Sequence, residues 1–156
     1  MAPVPAWMAF VSSAVFWLLS SLLVGLLANQ LPQRWLQPRH PRRLQADRWH
    51  LEPPGIRVWK RWIPDAGPAL PGGIAKASLV RRDPVVLQRL ELETRRAELV
   101  HWLLWPAGLL TALWLPLPGV LLNLLFASAF NVPCLLLQRH TRARLQRCLG
   151  RFQGSQ

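Results

Sequence analysis

The chain has 156 residues, enough for one domain. It is 51% hydrophobic and 17% charged, and the two classes occupy separate stretches, which excludes an ordinary soluble globule and points to a membrane protein. The net charge is +12, with 17 arginines among 19 basic residues, which suits an anionic membrane surface, a phosphorylated substrate or nucleic acid.

Trp7 to Ala28 carries no charge. As a helix these residues would reach about 33 Å, enough for a bilayer core of about 30 Å. A secretory signal needs a basic leading segment and a shorter apolar run, so a retained span over 7–28 is predicted.

Residues 29–89 read as a loop region. Nine prolines, from Pro32 to Pro84, leave no sustained helical or alternating period. Trp35, Trp49, Trp59 and Trp62 interleave with Arg34, Arg48, Lys60 and Arg61. Aromatic and basic residues together suit the headgroup zone. They would also suit stacking on single-stranded nucleic acid, but apolar segments flank this loop on both sides, which favours the membrane and argues against a nucleic-acid partner.

Asp83-Pro84 has the form of an N-cap followed by an N1 proline. A helix is predicted from Pro84 through His101 and on to Leu115. From Trp102 to Leu137 there is no charged residue. One helix of that length would reach about 54 Å, too long for a single crossing. Leu115-Pro116-Leu117-Pro118-Gly119 breaks it, predicting spans over about 99–115 and 120–137. A re-entrant hairpin is the alternative. The tail, 138–156, is basic. The expected architecture is therefore all-α: a single membrane domain, 1–156, with about three transmembrane helices and a Pro/Trp/Arg-rich loop. The arginine excess places loop and C-terminus on the cytoplasmic side of a multi-pass protein.

Candidate chemistry gathers where the uncharged run begins. At about 100° per residue, Glu93, His101 and Glu98 fall at about 0°, 80° and 140°, so His101 is expected between two acids. A solvated helix end laced with Glu–Arg pairs gives the same pattern. Asn123 and Asn131 are amides inside an apolar segment, where such groups pair helices or contact substrate. Arg139 and Arg142 end the last span, either as a stop-transfer cluster or as an anion cradle. The Glu98-x-x-His101 spacing occurs in di-iron helices, but no second copy exists, so no metal is expected. Cys134 and Cys148 are too far apart to bridge within one helix.

Four blocks carry a resemblance. They are Trp59-Lys60-Arg61-Trp62-Ile63-Pro64-Asp65-Ala66-Gly67 followed by Gly72-Gly73 and Lys76; Glu93-Thr94-x-x-Ala97-Glu98-x-x-His101-Trp102; Asn131-x-Pro133; and Gln138-Arg139-x-x-Arg142-x-Arg144. In this order they resemble the glycosyl-4,4'-diaponeurosporenoate acyltransferase family, small integral membrane enzymes of carotenoid synthesis. The resemblance implies esterification of a sugar hydroxyl on a glycosylated carotenoid-type lipid by a fatty acyl group. It implies no cofactor beyond an acyl-coenzyme A or acyl-carrier donor. O-acyl transfer needs a base, and His101 is the candidate, with Glu98 or Glu93 orienting it. Asn131 or Arg139 would oppose the oxyanion. Trp59, Lys60, Lys76 and Arg142 complete the candidate substrate-binding set. A non-catalytic membrane subunit, binding a partner or anionic lipid through its arginines, is the alternative.

Overall fold

The computed structural model describes residues 5–37, 53, 55–63 and 83–153. Among them there is no strand. Helix α1 covers Ala6–Gln30, α2 Gln33–Leu36, α3 Ile56–Trp59, α4 Pro84–Leu109 and α5 Leu117–Gln153. A 3-10 turn, Lys60–Trp62, follows α3, and another, Leu110–Leu113, follows α4. Among its described residues, the region read as a loop contains two single-turn helices. Gly55, at φ 66°, takes the left-handed conformation that starts α3.

Helix α4 begins where the Asp-Pro pair places it. The Asp83 carboxylate accepts a hydrogen bond from the Val85 amide at 2.9 Å, and Pro84 occupies the first turn, where no amide hydrogen is needed. At its far end α4 tightens into the 3-10 turn, and Pro116 separates that turn from α5.

Helices α4 and α5 form an antiparallel hairpin. Glu91 meets Gln146, Glu98 meets Arg139 and Arg142, His101 meets Asn131, and Trp105 meets Ser128. Leu87 and Leu90 of α4 pack with Leu145 of α5 at the polar end of the hairpin. Helix α1 lies against both partners. Trp17 donates to Asn123 Oδ1 at 2.8 Å, and Arg96 donates to Asn29 Oδ1 at 3.2 Å.

Among the described residues two helices, not three, are long and apolar enough to cross a bilayer: α1 and α5. Only 6% of the most apolar window of α1 is buried, so it is not a core helix of the described structure. Helix α4 falls short because its charges persist to Glu98 and its α-helical part ends at Leu109. The uncharged remainder, Leu99–Leu109 plus the 3-10 turn, reaches only about 24 Å. Helix α5 continues past the uncharged stretch that ends at Leu137 and through the basic tail to Gln153. Ala143 and Leu145 are buried there, and Leu149 packs beside them, so the tail has an apolar face to lay on α4.

Gly108 lets α1 approach α4. A Cβ at this position would lie 3.0 Å from the outer edge of the Trp17 ring, which its bond to Asn123 holds in place. Gly108→Leu should therefore lower stability by about 1–3 kcal/mol through overpacking. Adding Trp17→Ala should recover part of that loss in detergent melting curves. Strictly additive losses would show that the two positions do not touch.

Candidate active site

Each acid on the inner half of α4 is committed to an arginine or amide. Glu91 pairs with Arg95 at 3.0 Å and accepts from Gln146 of α5 at 2.7 Å. Glu93 pairs with Arg96 at 2.7 Å, and Arg96 also reaches the end of α1. Glu98 accepts from Arg139 Nε at 2.8 Å and from Arg142 Nη2 at 2.5 Å. Thus neither Glu93 nor Glu98 is the hydrogen-bond partner of His101. The geometry of α4 alone had placed His101 between them, but cations from the same helix and from α5 claim both carboxylates.

His101 is half-buried, and its partner is Asn131 on α5. Nδ1 lies 2.8 Å from Asn131 Oδ1, and Asn131 is only 4% exposed. An amide oxygen only accepts, so Nδ1 carries the hydrogen and donates it. The lone pair of the neutral ring is then on Nε2. An amide fixes the tautomer here without placing a second charge beside the ring.

One turn below this pair sits the Glu98 clamp. Burial alone would raise the Glu98 carboxyl, but hydrogen bonds and positive charge from Arg142 and then Arg139 outweigh it and hold the group below 4.5. Two guanidinium groups share one carboxylate, so the cluster keeps a net positive charge. Among the described residues Arg139 engages Glu98 through Nε alone, and its side chain is 34% exposed. Arg142 is 8% exposed, and its Nε is buried without a protein partner.

Two further candidates lie at the junction of α3 and the turn that follows it. Trp59 ends α3, and Lys60 opens the following turn, exposed and without an ion pair among the described residues. Lys76 lies outside the described residues. No group of three His, Cys, Asp or Glu side chains suited to a metal occurs among those described. Sequence reasoning missed Trp17, Trp105, Ser128 and Gln146. Trp105 donates to Ser128 Oγ at 3.0 Å, one turn deeper than His101. The available signal was a serine and tryptophans within apolar helices, polar groups that need partners there.

The structure thus defines a helical polar site: an imidazole with a fixed tautomer, a positive cluster one turn away and apolar helix surface beyond. A family model described as glycosyl-4,4'-diaponeurosporenoate acyltransferase matches residues 32–151, and the chain belongs to that family of acyltransferases. Relatives bearing that name from Staphylococcus aureus strains MRSA252, bovine RF122 / ET3-1 and USA300 are 25%, 24% and 23% identical over 146 residues. Each match covers 87% of this chain and 85% of the relative. No solved structure matches the chain.

The Glu98 shift has a pH consequence. A carboxyl whose native pKa is depressed contributes stability that is complete above its unfolded value, near 4.5, and is lost as pH falls through the lower native value. Melting temperature should therefore drop on acidification below about pH 4.5, and Glu98→Gln should show a smaller drop over the same range. Above that range Glu98→Gln should melt lower than the parent, since it leaves two guanidinium groups without a counter-charge. Parallel acid profiles for the two proteins would refute the clamp.

Proposed function

We propose that this chain esterifies a sugar hydroxyl of a glycosylated carotenoid-type lipid with a fatty acyl group taken from a thioester donor. The observation that carries the reading is the His101 Nδ1–Asn131 Oδ1 bond, which leaves Nε2 able to accept a proton. Family membership supplies the reaction class.

In this mechanism the sugar hydroxyl donates its hydrogen to His101 Nε2 as its oxygen attacks the thioester carbon. The new C–O bond forms, and the carbonyl electrons move onto oxygen. Nδ2 of Asn131 and the Arg139 guanidinium oppose the resulting oxyanion. Collapse re-forms the carbonyl and breaks the C–S bond, and the imidazolium returns its proton to the departing thiolate. Asn131 orients the ring throughout. Glu98 positions Arg139 and Arg142 rather than the base. Trp59, Lys60 and Lys76, together with Arg139 and Arg142, form the set assigned to the donor's phosphate and the sugar headgroup. The acyl chain and polyene lie along the apolar surfaces of α1 and α5, where Leu121, Leu125 and Phe130 are exposed.

The same reading makes the chain an integral membrane protein with its polar end in the cytoplasm. Asn29–Arg96 and Glu98–Arg142 bring the end of α1, the middle of α4 and the tail of α5 to one level. Among the described residues Arg96, Arg139 and Arg142 lie at that level, and basic residues favour the cytoplasmic side.

His101→Ala should lower ester formation by roughly 100- to 10,000-fold, the usual contribution of a general base. His101→Gln should do the same. Asn131→Leu should also lower ester formation, because it removes one oxyanion donor and frees the ring to adopt either tautomer, although it leaves a base in place. Mass spectrometry of pigment extracts, normalised to membrane-inserted protein, reads the result. Parent-level ester from His101→Ala would remove the base and favour a non-catalytic subunit.

A further inference from the structure

Helix α5 contains five arginines and no acid. Arg139 and Arg142 are taken up by Glu98. Arg144, Arg147 and Arg151 are exposed. At about 100° per residue they fall within about 60° of one another, on the face turned away from α4. Among the described residues neither Arg144 nor Arg147 has an acidic partner.

The position of this stripe separates it from the lipid. If Leu117–Leu137 crosses the apolar core, Arg144 and Arg151 lie about 10 and 21 Å beyond its last residue at 1.5 Å per residue. A headgroup layer is only about 5–8 Å deep on each side. The stripe therefore projects past the headgroups on the arm formed by α4 and α5. It is also convex. A free nucleotide requires a concave pocket for its base and phosphates, whereas a row of arginines along an exposed helix suits an acidic protein surface.

The distance to the proposed base narrows the choice of partner. Arg144 lies 13 residues from Asn131 on the same helix, about 20 Å along its axis. A partner held at the stripe must deliver a thioester over that span, which requires a long flexible arm. We propose that the Arg144/Arg147/Arg151 stripe docks an acidic acyl-carrier protein, whose pantetheine arm brings the acyl thioester to His101. The proposal rests on the acyl-transfer reading above and names its donor.

The test uses the full chain in zwitterionic nanodiscs. Three donors bear the same acyl group: an acyl-carrier protein, acyl-coenzyme A and a small N-acetylcysteamine thioester. With the carrier donor, Arg144→Glu/Arg147→Glu should raise KM at least about tenfold with kcat near the parent value, and added salt should erase the difference. With the small thioester the double variant should match the parent. Excess carrier should slow maleimide labelling of the exposed Cys148, which lies beside the stripe, in the parent and not in the double variant. Arg144→Gln/Arg147→Gln should show an intermediate shift in KM. An unchanged carrier KM, or Cys148 labelling indifferent to carrier, would overturn the proposal while leaving acyl transfer standing. A stripe that governs use of acyl-coenzyme A, or only binding to anionic vesicles, would also overturn it. Failure of the folded parent to use any thioester would instead bring down the catalytic reading, and this inference with it.

Discussion

The capture of two arginines by one glutamate sets the arrangement of this molecule. Glu98 is the last charge on α4 before the uncharged run, and it holds Arg139 and Arg142, the first two charges on α5 after its own. An ion pair here is held at the edge of an apolar region, where separating the charges is costly. It fixes the axial register of α4 against α5. With that register set, His101 meets Asn131 and, a turn deeper, Trp105 meets Ser128. Arg96 extends the same layer to α1 through Asn29. The polar parts of three helices are thereby tied at one depth, and the proposed base lies immediately beyond them.

This arrangement separates the charged groups from the proposed base. The imidazole receives its orientation from a neutral amide, and the carboxylates are spent on arginines. A carboxylate beside His101 would have favoured the imidazolium form. An amide fixes the tautomer without doing so, and Nε2 keeps its lone pair. The positive cluster nearby retains a surplus charge, suited to an anionic donor or to the oxyanion formed during transfer.

Much of the fold was legible in the sequence. The Asp83-Pro84 cap, the break at Pro116 and the uncharged stretch of α1 each depend on local chemistry, and each has its structural counterpart. His101 and Asn131 stood out separately, as an imidazole at a charge boundary and an amide in an apolar run. Their pairing did not, because a helical wheel ranks neighbours on one helix and says nothing of register between two. The same wheel gave His101 to Glu93 and Glu98, which cations on α4 and α5 claim instead. Counting a third span treated Leu99–Leu115 as one regular helix, whereas α4 ends at Leu109 and tightens. A span limit at Leu137 marks where charge arrives and says nothing of where the helix stops; Leu145 and Leu149, four residues apart on a face that packs against Leu87 and Leu90, accompany its continuation.

Acyl transfer by the proposed route depends on the protonation of one ring. Nitrogen NMR of the chain labelled at histidine, in nanodiscs at a pH where His101 is neutral, reads it directly, with His101→Gln assigning the signal. A protonated Nδ1 and an unprotonated Nε2 are expected, with Asn131→Leu relaxing the ring toward a mixture of tautomers. A neutral His101 carrying its hydrogen on Nε2 in the parent protein would contradict the account, because the nitrogen assigned to take the hydroxyl proton would already hold one.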